Sequence, residues 1–349
     1  MSIDFEPLPP EHAGKAPDPQ GAAPARAAAA MTPAQLAERI GAVRAQVAGV
    51  FIGQEAVLDQ VLVALLAGGH VLVEGVPGLG KTLLVRALAQ ALGCGFARIQ
   101  FTPDLMPSDV SGHAVFDPKT ESFLIRRGPV FTQLLLADEI NRAPAKTQSA
   151  LLEVMQEQQV TIEGRSEPLE PPFMTLATQN PVEQEGTYPL PDAQLDRFLL
   201  KVLIGYPSGE DERRMVSGVA QGKVGAGFDL DAIVPVCTPQ DVVAMQQAAA
   251  RLTLDDAVID YAVRLAAATR SWPGIALGAG PRGSLALVRA ARAQAALDGR
   301  DFVTPDDVRE VAKPALRHRI TLAPELQIEG QDADAVLHAV LARVEAPRK

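Results

Sequence analysis

Eight consecutive residues, Gly75-Val76-Pro77-Gly78-Leu79-Gly80-Lys81-Thr82, follow the pattern G-x-x-x-x-G-K-T. Glycines at these spacings let backbone amides turn inward and cradle phosphate oxygens. The amides also sit where a helix begins, and its dipole favours an anion. Lys81 supplies a point charge to the outer phosphates, and the Thr82 hydroxyl can hold Mg2+. A chance match in a glycine-rich loop is the bland alternative. It is disfavoured because Val71-Leu72-Val73 reads as a strand before the motif and Lys81 to Leu92 as a helix after it, which is the context the chemistry needs. The expected phosphate-binding set therefore runs from Gly75 to Leu83.

A second group follows downstream. Leu134-Leu-Leu-Ala137 is an apolar strand that delivers Asp138 and Glu139 to its C-terminal end. Asp138 there can hold the water shell of a metal, and Glu139 can polarise a water for attack on a γ-phosphate. A third apolar strand, Phe173 to Thr178, ends in Gln-Asn180-Pro181. Tips of parallel strands converge on one edge, so Asn180 can touch the γ-phosphate or the attacking water. The competing reading of Asn180 is a turn-forming residue before proline.

These residues need a scaffold. Short apolar strands (Val71–Val73, Ala97–Phe101, Leu134–Ala137, Phe173–Thr178 and Leu199–Ile204) alternate with helical stretches such as Thr147–Gln158. That alternation predicts a parallel sheet covered on both faces. Gly112 to Pro129 instead alternates around Asp117-Pro-Lys-Thr120 and reads as a hairpin inserted between the second and third core strands. Residues 1–30 hold six Pro and nine Ala and read as a disordered arm, so the first segment is placed at 1–31. Thr32-Pro-Ala-Gln35 is a capping box that opens a helix with Leu36, Ile40, Val43, Val47 and Val50 on one face. The α/β core is placed at 32–207. From 208 to 349 a helical domain is expected, with helix starts at Ser208, Thr238 and Thr304, Ala-rich helices near 255–271 and 281–298, and a glycine-rich loop at Gly222 to Gly227.

The 349 residues carry 42 Asp+Glu against 32 Lys+Arg, a formal charge of −10, which argues against nucleic acid as the main partner. With 47% apolar and 21% charged residues, wholesale disorder is excluded. Two distant cysteines, Cys94 and Cys237, exclude a disulfide scaffold and a cysteine zinc site and fit a reducing cytoplasm. The most apolar stretch, Val61 to Val73, is broken by Gly68, Gly69 and His70, so no membrane span is expected. The N-terminus lacks the features of a secretory signal.

Taken together, the phosphate loop, Asp-Glu strand, Thr178-Gln-Asn-Pro181, Leu190-Pro-Asp-Ala-Gln-Leu-Asp196-Arg197-Phe198 and Gly280-Pro281-Arg282 resemble an AAA+ ATPase. Leu136-Ala-Asp-Glu-Ile-Asn-Arg-Ala-Pro144, Lys146 to Glu157, Asp298 to Asp307 and Leu316-Arg-His-Arg319 narrow the resemblance to the MoxR branch. It covers roughly residues 35–345. The resemblance implies a P-loop AAA+ core with a five-stranded parallel sheet, a helix-2 hairpin insert and a C-terminal helical lid, with nucleotide between core and lid at a subunit boundary. It implies that Gly80, Lys81 and Thr82 match Walker A, Asp138 and Glu139 Walker B, and Asn180 sensor 1. Arg197 matches an arginine finger acting on the neighbouring subunit's nucleotide, and Arg282 the lid arginine called sensor 2. Many members read Ser-Pro-Arg where this chain has Gly280-Pro281-Arg282; the arginine is kept.

The function so implied is hydrolysis of Mg-ATP in a homo-oligomeric, hexameric ring that remodels or activates a client protein. The partner implied is a protein with a von Willebrand factor A (VWA) domain, and the client a metalloenzyme. Two other readings are weighed: a nucleotide-gated ring that recruits a partner, and a DNA-associated motor. The acidic charge and the lack of an aromatic-basic platform disfavour the motor. Phe116 or Phe123 of the hairpin either projects toward a pore to grip a client or packs on the core. Val50-Phe-Ile-Gly53 either holds an adenine ring or is plain core.

Overall fold

The computed structural model describes residues 31–180, 187–220 and 230–347. The expected arm, the glycine-rich loop at 222–227 and Pro181 lie outside the described residues. Helix α1 (Pro33–Ala48) opens on the expected box: the Gln35 amide donates to Thr32 Oγ1 at 3.3 Å, and the Thr32 amide to Gln35 Oε1 at 3.0 Å. Leu36, Ile40, Val43 and Val47 are its buried face.

Helix α2 (Glu55–Leu66) was not anticipated. Val57, Leu58 and every residue from Val61 to Leu66 are buried. A helix apolar nearly all round has no amphipathic period to read. Gly68, in the left-handed region at φ 60°, turns the chain out of it and into strand β1 (Val71–Glu74).

The core strands are β1, β2 (Phe96–Gln100), β5 (Leu134–Asp138), β8 (Met174–Gln179) and β9 (Leu200–Leu203), ordered β2-β5-β8-β1-β9 and all parallel. Their residues alternate between two cores. Val71, Val73, Leu134 and Leu136 enter one, with helices α1, α2 and α3 (Lys81–Ala91). Leu72, Leu135 and Ala137 enter the other, with helix α5 (Ala145–Glu157). Both faces are thus covered, as the strand composition predicts.

Helix α4 (Pro107–Ser111) leads into the expected hairpin, β3 (Gly112–Asp117) and β4 (Ser122–Arg127). It lies between the second and third core strands, with Phe116 directly opposite Phe123. A second hairpin, β6 (Gln159–Ile162) and β7 (Arg165–Pro168), follows α5 and was not foreseen. Its signal was the Glu163-Gly164 turn directly after the alternating Val160 and Ile162.

After short α6 (Asp192–Leu195) and β9 come the lid helices α7 (Gly209–Ala220), α8 (Pro239–Ala250), α9 (Asp256–Arg270), α10 (Pro281–Leu297), α11 (Pro305–Leu316), α12 (Pro324–Ile328) and α13 (Ala333–Arg343). Thr238 and Thr304 form the expected capping boxes. Lid helices α8 to α11 and α13 join α1 to α3 in one continuous apolar cluster.

Candidate functional site

Parallel register places the candidate residues. Gln100 pairs with Asp138, Ala137 with Ala177, Val73 with Thr178 and Glu74 with Gln179. Four strand tips therefore end on one edge, beside the loop that leaves β1. That loop begins tightly: a Cβ on Gly75 would stand 2.3 Å from Ile204 Cγ2 and 2.5 Å from its carbonyl oxygen. It ends on Gly80, left-handed at φ 80°, which caps α3 and suits a residue without a Cβ. Lys81 reaches back across the loop, its Nζ donating to the Gly75 carbonyl at 2.6 Å. Burial pushes the Lys81 ammonium below its ordinary pKa, while Asp138 and Glu139 pull it back up. The lysine thus feels both carboxylates of the β5 tip.

Thr178 ties those carboxylates together. Its hydroxyl donates to Asp138 Oδ1 at 2.6 Å and accepts the Glu139 amide at 2.9 Å. Asp138 Oδ2 accepts from Arg98 at 2.6 Å. Glu139 holds a left-handed backbone at φ 55°. Its Oε2 accepts from Gln100 at 2.8 Å and from Arg142 at 3.2 Å. Asn180 is buried at the end of β8. Sequence reasoning missed Thr178, Gln100, Arg98 and Arg142. Polar residues at the ends of otherwise apolar strands were the available signal for Thr178 and Gln100.

The donor set suits Mg-ATP. Among the described residues no group of three or more His, Cys, Asp and Glu side chains gathers around a metal position. A magnesium ion carried by a nucleotide takes only one or two protein oxygens, the rest coming from phosphates and water. Thr82 and Asp138 carry oxygens of that kind beside the loop, and Lys81 adds a cation next to the same strand tip. Beside the loop lies a cavity of about 260 Å3 lined by Val50, Phe51, Ile52, Leu79, Tyr206 and Met215. Its apolar walls fit a planar base.

Arg197 and Arg282 are elsewhere. Both line a cavity of about 320 Å3 with Gly68, Gly69 and His70, at the start of β1, whereas the phosphate loop leaves the end of that strand. The structure thus brings Lys81, Asp138, Glu139 and Asn180 to one edge and the two arginines to the other. Arg282 Nε lies 4.0 Å from Asp196 Oδ2. Phe116 and Phe123 do not pack on the core. They are 50% and 69% exposed and meet edge to face at 5.4 Å.

Comparisons with known proteins agree with this architecture. Residues 70–200 match the family described as "ATPase family associated with various cellular activities (AAA)", and residues 267–340 match the AAA lid domain. The chain is 44% identical to Chaperone MoxR1 of Mycobacterium tuberculosis, covering 87% of this chain and 81% of that protein. It is 47% identical to YeaC of Bacillus subtilis, covering 85% and 92% respectively. A crystal structure of a candidate ATPase from Cytophaga hutchinsonii superposes with a TM-score of 0.83 at 40% identity, covering 90% of this chain and 97% of the other. On these likenesses to the AAA and AAA lid families and to MoxR relatives, the chain belongs to the MoxR family of AAA+ ATPases.

Proposed function

We propose that this chain binds Mg-ATP on the Gly75–Leu83 segment and hydrolyses it within a ring of identical subunits, using the cycle to remodel or activate a client protein. In this reading the loop amides and Lys81 hold the phosphates, and Thr82 and Asp138 hold the metal. Magnesium, when bound, neutralises charge on the phosphate oxygens. Glu139 orients and polarises the attacking water, and its ties to Gln100 and Arg142 set the carboxylate's direction. Asn180 supports the water or the γ-phosphate from the neighbouring tip. Val50, Phe51 and Ile52 hold the base.

One observation supports assembly. The phosphate-binding groups and the two arginines lie at opposite ends of β1, which at about 3.3 Å per residue separates them by roughly 13 Å over its four residues. A guanidinium that stabilises the transition state must touch the γ-phosphate, so Arg197 and Arg282 serve the site of an adjoining subunit, and hydrolysis depends on the ring. The remodelling role extends the name of the MoxR1 relative, a chaperone, to this chain. A VWA-domain protein is the partner proposed, and a metalloenzyme the client. Among the described residues no helix is long and apolar enough to cross a membrane.

The test is complementation. Arg197→Ala should bind ATP as wild type does but turn it over about a thousandfold more slowly. Mixing it with Lys81→Ala chains, which carry intact arginines but a disabled phosphate loop, should restore part of the turnover. Absence of recovery in mixed assemblies would make Arg197 a residue of its own chain's structure.

A further inference from the structure

Four arginines line the cavity at the start of β1, and two of them are committed to the backbone. Arg289 donates to the carbonyls of Ala67 at 2.7 Å and Gly68 at 3.0 Å. Arg319, just beyond the end of α11 and 8% exposed, spends its guanidinium on the segment that carries Arg197. Its Nε donates to Asp196 Oδ1 at 2.7 Å. Its Nη2 donates to the Phe198 carbonyl at 2.6 Å and the Asp196 carbonyl at 3.2 Å, and its Nη1 to the Leu199 carbonyl at 3.0 Å and also to Ala315. The acceptors bracket Arg197 on both sides. An arginine fork with five N–H donors in one plane can hold such a set; a lysine cannot.

The other two arginines face the cavity. Among the described residues Arg197 has no ion pair, and Arg282 has only the 4.0 Å approach to Asp196 Oδ2. The two oxygens of Asp196 therefore divide their work: Oδ1 takes the buried Arg319, and Oδ2 faces the exposed Arg282. One carboxylate lies between the arginine that anchors the Arg197 segment and the arginine at the first turn of α10.

We propose that Arg319 and Asp196 are positioning residues for the two arginines that serve the adjoining subunit. Arg319 fixes the peptide on which Arg197 stands, and Asp196 holds Arg282 beside it, so that both guanidiniums enter the neighbour's site as one unit. A latch between lid and core would need Arg319 and its carbonyl acceptors only. It would need neither the Asp196 carboxylate shared with Arg282 nor two further guanidiniums lining one cavity. The proposal rests on Arg197 acting in trans, as set out above.

The experiment uses the full chain with Asp196→Asn and Arg319→Lys, and Arg197→Ala as reference. Each is assayed for MgATP turnover and for affinity toward a fluorescent ADP analogue, alone and mixed with Lys81→Ala chains. Asp196→Asn leaves the four carbonyl acceptors of Arg319 in place, so it keeps the test open if Arg319→Lys fails to fold. For Asp196→Asn we expect kcat to fall about tenfold to a hundredfold, as for a displaced transition-state contact. ADP affinity should stay within about twofold of wild type, and Lys81→Ala chains should restore part of the turnover, because the damaged arginines and the intact phosphate loop sit on different subunits. A structural defect would lower affinity together with turnover, or resist rescue. Wild-type kcat in Asp196→Asn overturns the proposal. A loss that mixing does not repair, while Arg197→Ala is repaired, overturns it and leaves trans action standing. If Arg197→Ala itself is not repaired, trans action fails and this proposal fails with it.

Discussion

The Thr178 hydroxyl ties together the two acidic residues of the β5 tip: it donates to Asp138 Oδ1 at 2.6 Å and accepts the Glu139 amide at 2.9 Å. A single buried group thus orients the carboxylate proposed to hold the metal and fixes the turn that presents the one proposed to polarise water. Thr178→Val keeps the shape but strands the Glu139 amide and one carboxylate oxygen. Leaving such groups unpaired costs about 1–3 kcal/mol each when buried. The expected outcome is reduced stability in chemical denaturation and a turnover loss larger than any loss of ATP affinity. Unchanged turnover would mean that Thr178 does not set the Asp138–Glu139 geometry.

Gly75 has no room for a methyl group, since a Cβ would meet Ile204 at 2.3 Å, while at Gly209 nothing lies within 4 Å. Gly75→Ala should therefore lower stability by about 1–3 kcal/mol and weaken ATP binding, because the displaced β9 end abuts the phosphate loop. Gly209→Ala should do neither. Thermal melts and nucleotide titrations on the two variants make the comparison.

His70 gives the fold an acid limit. Its Nδ1 accepts the Thr175 amide at 3.0 Å and its Nε2 donates to the Met155 carbonyl at 3.0 Å, a pattern only the neutral ring supplies. Burial pushes its pKa from 6.5 down to about 4. His318 is pushed down as well, by burial and by Arg319 beside it. An unfolded chain takes up the His70 proton near the ordinary value, while the folded chain refuses it until near 4. Stability is therefore complete above about pH 6.5 and is lost as pH falls toward 4. For His70 alone the loss from pH 7 to pH 5 is about 2 kcal/mol. Urea denaturation at the two pH values should show it. His70→Gln should start less stable at pH 7 yet lose less on acidification.

The hairpin aromatics are separable from the nucleotide site. Phe116 and Phe123 contact each other at 5.4 Å, and both are largely exposed. Replacing both by serine removes an edge-to-face pair worth about 1 kcal/mol and should leave basal ATP turnover unchanged. A drop in basal turnover would show that the hairpin is coupled to the strand tips.

Much of this site was legible because its rules are local. The glycine spacing before Lys81, the apolar runs before Asp138 and Asn180, and the boxes at Thr32, Thr238 and Thr304 each carry their mechanism within a few residues. Helix α2 was hidden because burial on all sides erases its period. The partners of Glu139 were hidden because Gln100 meets it only through the pairing of β2 with β5, a property of the sheet and not of either segment. Arg319 closes the Leu316-Arg-His-Arg319 stretch, which by itself gives no direction for its side chain. Only the packing of α11 on β9 turns it inward onto carbonyls. The location of Arg282 likewise depends on where the lid docks, which no local pattern encodes.

In the proposed function the Gly75–Leu83 segment and the Asp138–Glu139 tip form one ATP site with divided labour between holding and cleaving. Calorimetric titration of Mg-ATP into Glu139→Gln and Lys81→Ala, paired with phosphate release, tests it most directly. Glu139→Gln should bind ATP at least as tightly as wild type and release almost no phosphate, while Lys81→Ala should bind weakly or not at all. Phosphate release at the wild-type rate by either variant would contradict it.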